Sequence, residues 1–149
     1  MCYSLSMFNM HELTKADIPL VHALSVEIFG VSAKDPKYAI ERWEEHLSQH
    51  GLLLGAFDGD ELVGFKFGYE REPGALHSWL GGVREPYRRR GIMRLLTEKQ
   101  ESWARNNGYH CVTVNTYKDK FPAMYQFLMG SGYHETEERL GKSFLRKEL

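Results

Sequence analysis

The sequence predicts an α/β domain: a mixed sheet of about seven strands with helices on both faces. Three observations lead there. Strand-like and helix-like patterning alternates along the chain in the order β-α-α-β-β-β-α-β-α-β-β. Two glycine-bearing turns, Asp58-Gly59-Asp60 and residues 71–74, separate three successive strands and make them antiparallel neighbours. A long amphipathic helix over residues 91–107 joins two apolar strands, and such a link is a parallel crossover. The 149 residues suit one domain, residues 1–149.

Residues 4–12 read as the first strand. Thr14 and Asp17 form a capping box that opens a helix to about Phe29. A loop at 30–34 follows. Asp35-Pro36 then caps and starts a second helix, with proline at the tolerated first position. Ile40, Trp43 and Leu47 give that helix an apolar stripe, and Gly51 ends it. Strands are expected at 52–57, 62–69 and 75–83. Gly108 stops the long helix, and the short apolar run 109–115 reads as a buried strand. A helix over 122–129 ends at Gly130, and strands 133–138 and 142–148 close the sheet as a hairpin.

Composition bounds the function. Hydrophobic residues make up 42% and charged residues 26%, with a formal net charge of -1, so no basic field recruits nucleic acid. No apolar run approaches the ~20 residues that span a bilayer. No basic segment followed by an apolar stretch marks a secretory leader. Cys2 and Cys111 lie far apart, so a disulfide framework is not expected and a cytoplasmic location is. A homodimer is left open.

The stretch Val83-Arg84-Glu85-Pro86-Tyr87-Arg88-Arg89-Arg90-Gly91-Ile92-Met93 carries the functional signal. An apolar strand enters a turn bearing arginines and one glycine, and a helix follows at once. The first N–H groups of a helix have no intrahelical partners, and the helix dipole places about half a positive charge beside them. Arg84, Arg88, Arg89, Arg90 and Arg94 surround this turn. Basic residues at a helix N-terminus oppose the dipole, so their accumulation points to a bound anion.

Arg88-Arg89-Arg90-Gly91-Ile92-Met93 resembles the signature of the GNAT N-acetyltransferases: Arg or Gln, two variable residues, Gly, one variable residue, then Gly or Ala. The preceding Val-x-Glu-Pro-Tyr and the later Gly132-Tyr133 extend the resemblance. It implies the family's fold, with acetyl-CoA as acyl donor and no metal. Val83, Arg88, Arg89, Arg90, Gly91, Ile92, Met93 and Arg94 would hold the donor, the amides of 89–94 on its pyrophosphate and the edge of the 75–83 strand on its pantetheine arm. That edge requires the fourth and fifth strands to splay. Gly81-Gly82 suits either a bulge near that point or a loosened strand. Met93 departs from the signature's last position, which puts close packing of helix on strand in question.

The resemblance also locates proton-transfer candidates. The family's glutamate base falls fourteen positions before the signature glycine, at His77. Histidine titrates near neutral pH and can do the same work, and a half-exposed strand histidine is the plain alternative. The positions of the family's acidic tyrosine and its asparagine hold Leu128 and Phe121. Tyr125, one turn earlier on the helix, is the candidate acid, with core packing as the alternative, and Tyr117 is a weaker loop candidate. His46 and His50 have a zinc-compatible spacing, but no glutamate follows His46, and the helix dipole explains histidines in a last turn. Cys111 reads as a small core residue.

The expected acceptor is a small-molecule amine meeting the loop 30–34 and the turn 71–74, near Asp35, Glu70 and Glu72. Trp43, Trp79 and Tyr69 are candidate pocket walls or core. The leading expectation is an N-acetyltransferase working by direct transfer in a ternary complex. The alternative is a non-catalytic acyl-CoA-binding or regulatory domain of the same fold. A nucleotide-binding protein fits less well, because the Lys-Ser/Thr of a phosphate-binding loop is missing.

Overall fold

The structure, a computed structural model, describes residues 8–149. The beginning of the expected first strand, residues 4–7, and Cys2 lie outside the described residues. Strand β1 (Phe8–Leu13) leads through a 3-10 turn (Lys15–Asp17) to α1 (Ile18–Phe29). The capping box is present: the Thr14 N–H donates to Asp17 Oδ2 at 2.9 Å. The helix ends at Gly30, in the left-handed region at φ 61°.

The second helix begins later than the sequence predicts. Pro36–Tyr38 forms one 3-10 turn, capped by Asp35 Oδ1, which accepts from the Lys37 N–H at 2.9 Å. Ala39 is extended (φ -68°, ψ 131°), and α2 (Ile40–Ser48) starts after it. The break has a packing cause. It buries Tyr38 beside Trp43, whose Nε1 donates back to the Lys37 carbonyl at 3.3 Å.

Strands β2 (Leu52–Asp58), β3 (Glu61–Glu72) and β4 (Ala75–Val83) form an antiparallel meander. A 3-10 turn (Glu85–Tyr87) leads to α3 (Ile92–Asn106), then β5 (Cys111–Thr116), α4 (Pro122–Gly130), β6 (His134–Arg139) and β7 (Lys142–Glu148). The seven-stranded sheet has the order β1-β2-β3-β4-β5-β7-β6. Among the described residues the one parallel pair is β4–β5, as the crossover predicts. The final hairpin inserts β7, not β6, beside β5. The reason lies in composition: His-Glu-Thr-Glu-Glu-Arg of β6 is polar throughout and suits an edge, whereas β7 buries Leu145.

Helices α1 and α2 cover one face of the sheet through Ile18, Val21, Leu24 and Trp43 packed on Phe65 and Phe67. On the other face α3 lays Ile92 and Leu96 on Leu52, Leu54, Val63 and Val83. Beside it α4 seats Leu128 on Val112, Val114 and Leu145.

Candidate functional site

Strands β4 and β5 pair only from Ala75 to Ser78 and from Cys111 to Val114. Beyond that they part, as the expected splay requires. The bulge responsible sits at Trp79, not at the glycine pair. Phe67 pairs with Leu80 and Gly68 with Ser78, which leaves Trp79 between them. A bulge bends its strand and increases local twist. Gly81 and Gly82 stay in regular register with Lys66 and Phe65. Gly82 serves packing instead: a Cβ there would lie 3.0 Å from Ile28 Cγ2 of α1.

The parted strands open a cleft of about 300 Å³. Its walls include Ser78, Trp79 and Gly81 of β4, Val114 and Thr116 of β5, Tyr38 from the α1–α2 connection, and Phe121 and Met124 at the start of α4. A second open depression, about 440 Å³, lies at the foot of the β3–β4 hairpin between His50, Glu70, Gly74 and Tyr109, away from the arginine turn. Glu70 belongs there, its Oε1 accepting from the Gly74 N–H at 3.2 Å. The turn 71–74 with Glu70 therefore does not line the cleft, contrary to expectation, and of the three expected carboxylates only Asp35 does.

At the far end of β4 the arginine turn has a distinctive backbone path. Arg88 is extended, Arg89 takes φ 64° and Gly91 takes φ 80° as the N-cap of α3. A left-handed arginine costs about 1 kcal/mol, and such strain gathers where backbone must be aimed. The N–H groups of residues 89–94 donate to no carbonyl and no side chain among the described residues; the first helical bond runs from Leu95 N to Gly91 O. Six successive unpartnered donors thus lie around one turn, an arrangement complementary to an anion.

The arginines divide into separate tasks. Arg88, exposed at its tip, turns back so that Nε donates to the Val83 carbonyl at 2.9 Å, bracing the strand end against the turn. Arg90 stacks over the Tyr87 ring at 5.2 Å, and Tyr87 donates to Asp58 Oδ2 at 2.9 Å. Arg89 and Arg94 face solvent. Arg84 is consumed: it makes a two-pronged pair with Glu27 at 2.8 Å and a third bond to Glu61 at 2.9 Å, tying α1 to β3. Met93 packs with the cluster beneath α3, and close approach to the sheet comes from elsewhere. A Cβ on Gly64 of β3 would stand 3.3 Å from Ile92 Cγ2, so that glycine seats the helix start.

The proton-transfer candidates fare differently. His77 is buried, not half-exposed, and does not line the cleft. Its Nδ1 lies 2.9 Å from Thr113 Oγ1 and its Nε2 3.3 Å from Arg71 Nη1. A guanidinium only donates, so Nε2 accepts and Nδ1 carries the proton. Burial, reinforced by the Arg71 charge, holds the imidazole far down, at about 3. Both ring nitrogens are thus engaged, away from the cleft lining.

Tyr125 is also engaged by a neighbouring strand. Its hydroxyl donates to Glu135 Oε1 of β6 at 2.8 Å, which raises its pKa, and the ring does not line the cleft. Tyr117, at the end of β5, is exposed and does line it. Leu128 is fully buried, and Phe121 sits edge-on to Phe29 at 6.3 Å. Trp43 and Tyr69 are core, while Trp79 reaches the cleft.

One residue escaped the sequence reading. Lys66 is buried on β3 and lines the cleft, held by burial at about 8 despite Glu101. Its signal was a lone lysine inside the apolar run 62–69.

His46 stacks on Tyr69 at 3.9 Å and meets Gln49 Oε1 through Nδ1 at 3.1 Å, which accounts for it without a metal. Among the described residues no group of three His, Cys, Asp or Glu is placed to hold an ion. Among the described residues no helix is long and apolar enough to cross a membrane.

Solved structures share this architecture. PaiA N-acetyltransferase from Thermoplasma acidophilum in complex with coenzyme A is 14% identical, with a TM-score of 0.82 over 95% of this chain and 99% of that one. The ribosomal-protein-S18-alanine N-acetyltransferase from Escherichia coli is 12% identical, with a TM-score of 0.78 over 95% and 94%. YncA, a putative acetyltransferase from Salmonella typhimurium with its cofactor acetyl-CoA, is 13% identical, with a TM-score of 0.75 over 96% and 94%. No curated protein matches the sequence. The model of the acetyltransferase (GNAT) family matches residues 18–130, within which lie the crossover, the arginine turn and the cleft, so the chain belongs to that family.

Proposed function

We propose that the protein is a single-domain, cytoplasmic N-acetyltransferase that moves an acetyl group from acetyl-CoA to a primary amine by direct transfer in a ternary complex. The observation that carries this reading is the row of six unpartnered amides at residues 89–94, placed where β4 and β5 open a cleft. The residues present fit the donor. The amides and the N-terminus of α3 are complementary to a pyrophosphate. The unpaired edge of β4 beyond Ser78 offers backbone groups to an extended amide-bearing arm. Arg88 occupies the Val83 carbonyl, so it braces this edge rather than reaching for phosphate. Coenzyme A and acetyl-CoA in the two related structures named above support the same assignment.

Transfer to an amine requires a neutral nucleophile and a protonated or stabilised leaving thiolate. His77 is sealed and Tyr125 faces β6, so neither serves. The amine proton leaves to water in the open cleft, and Tyr117 supplies the hydroxyl nearest the role of acid. The sealed His77 and the buried Leu128 favour, as a second reading, a non-catalytic acyl-CoA-binding domain.

One experiment separates the readings: calorimetric titration with CoA, alongside free-thiol release from acetyl-CoA against a panel of amines. Binding with turnover supports the enzyme, and binding without turnover supports the sensor. Absence of CoA binding removes both. Sedimentation of the same samples reads whether the chain pairs as a homodimer.

A further inference from the structure

Lysines gather around the cleft between β4 and β5. Lys37 from the α1–α2 connection and Lys120 from the β5–α4 connection both line it. Lys142 of β7 stands over the ring of Tyr117, a cleft residue, at 5.8 Å. Lys66 sits in the buried wall, 4% exposed. None of these four ammonium groups has a carboxylate within 4.0 Å among the described residues, although seven such pairs form elsewhere. Asp35, the one carboxylate in the lining, is engaged through Oδ1 by the Lys37 N–H. Partial burial, then the charges of Lys142, Arg42 and Lys120, hold the Lys37 ammonium below the usual lysine range, with Asp35 acting against them.

These charges are distinct from the donor cradle. The cradle caps α3 on one face of the sheet, while Lys37 belongs to the connection between α1 and α2 on the other. Like charges gathered around a cleft, with a buried unpaired cation in its wall, lower their mutual repulsion when an anion enters. They repel a polycation entering the same space.

We infer that the acceptor is an amine that also bears an anionic group, a carboxylate or a phosphate, which Lys37 and Lys120 receive at the cleft mouth. This rests on the acetyltransferase reading and narrows its substrate class. The rim of carboxylates that would have suited a polyamine is absent, because Glu70 lies in the other depression. An amino acid or an aminosugar phosphate meets the charge pattern; spermidine and simple alkylamines do not.

The test measures thiol release from acetyl-CoA with four sets of acceptors: amino acids, an aminosugar phosphate, polyamines and alkylamines. Turnover confined to one or both anionic sets is expected, and which set responds tells carboxylate from phosphate. Lys37→Glu and Lys120→Glu change solvent-facing residues. Each is expected to raise KM for the anionic acceptor about tenfold, less at high salt, while the Kd for CoA holds. Preference for polyamines or alkylamines overturns the inference, as does an unchanged KM in both variants. CoA binding with no turnover of any set overturns it too. Loss of CoA binding in the unaltered protein instead overturns the acetyltransferase reading itself.

Discussion

Replacing His77 by glutamine should remove a pH-dependent part of the stability without touching the chemistry. In the folded chain His77 titrates at about 3, because burial and the charges of Arg71, His46, Lys37 and Lys142 all oppose its protonation. In the unfolded chain a histidine titrates near 6.5. The unfolded state therefore binds the extra proton between these values, and stability rises with pH across that window. Integrating from pH 5 to pH 7, where the folded imidazole stays neutral, gives about 2 kcal/mol for this one group. Carboxylates contribute to acid sensitivity as well, so the quantity to measure is a difference. Urea unfolding of wild type and His77→Gln at pH 5 and pH 7 should show wild type losing about 2 kcal/mol more than the variant on acidification. Glutamine keeps an amide near Thr113 and Arg71, which limits packing loss. Parallel losses in the two proteins would refute the sealed, neutral histidine. So would a rate-versus-pH profile that loses a limb in His77→Gln.

Lys66 acts with the same sign in an alkaline window. Its folded pKa of about 8 lies below the unfolded value near 10.4, so stability is gained as pH rises through that interval. Wild type should gain about 2 kcal/mol over Lys66→Met between pH 7 and pH 9.5, read by the same unfolding assay. Arg88→Ala should weaken CoA binding about tenfold by releasing the Val83 carbonyl and loosening the turn, with Arg88→Gln restoring most of it in calorimetry. Tyr117→Phe should lower kcat with an unchanged unfolding midpoint, while Tyr125→Phe, which breaks the bond to Glu135, should lower the midpoint and leave kcat alone.

What the sequence disclosed follows from the range of the forces involved. The turn with its open amides was legible because it is local: one helix start, one glycine and adjacent arginines lie within a dozen residues. The parallel crossover was legible because loop chemistry and helix length leave few topologies. The bulge at Trp79 was not, since a bulge is a mismatch between two strands and has no signature in either alone. The late start of α2 depended on Tyr38 and Trp43 meeting a core built by β3. The fates of His77 and Tyr125 were decided by Thr113, Arg71 and Glu135, partners that only the fold brings near. Family position drew attention to both residues, and their hydrogen bonds place both outside the cleft lining.

The brevity of the β4–β5 ladder has a mechanical consequence. Four residue pairs form the hydrogen-bonded seam between a four-stranded block, β1 to β4, and a three-stranded block, β5 with β7 and β6. Every other junction in the sheet carries at least five pairs. Under load or in mild denaturant the domain should part along this line first, with amide exchange running fastest at the two strand ends that flank it. The seam beside the cleft is thus where the domain should yield first, its two blocks joined by that short ladder and by α3, which contacts both.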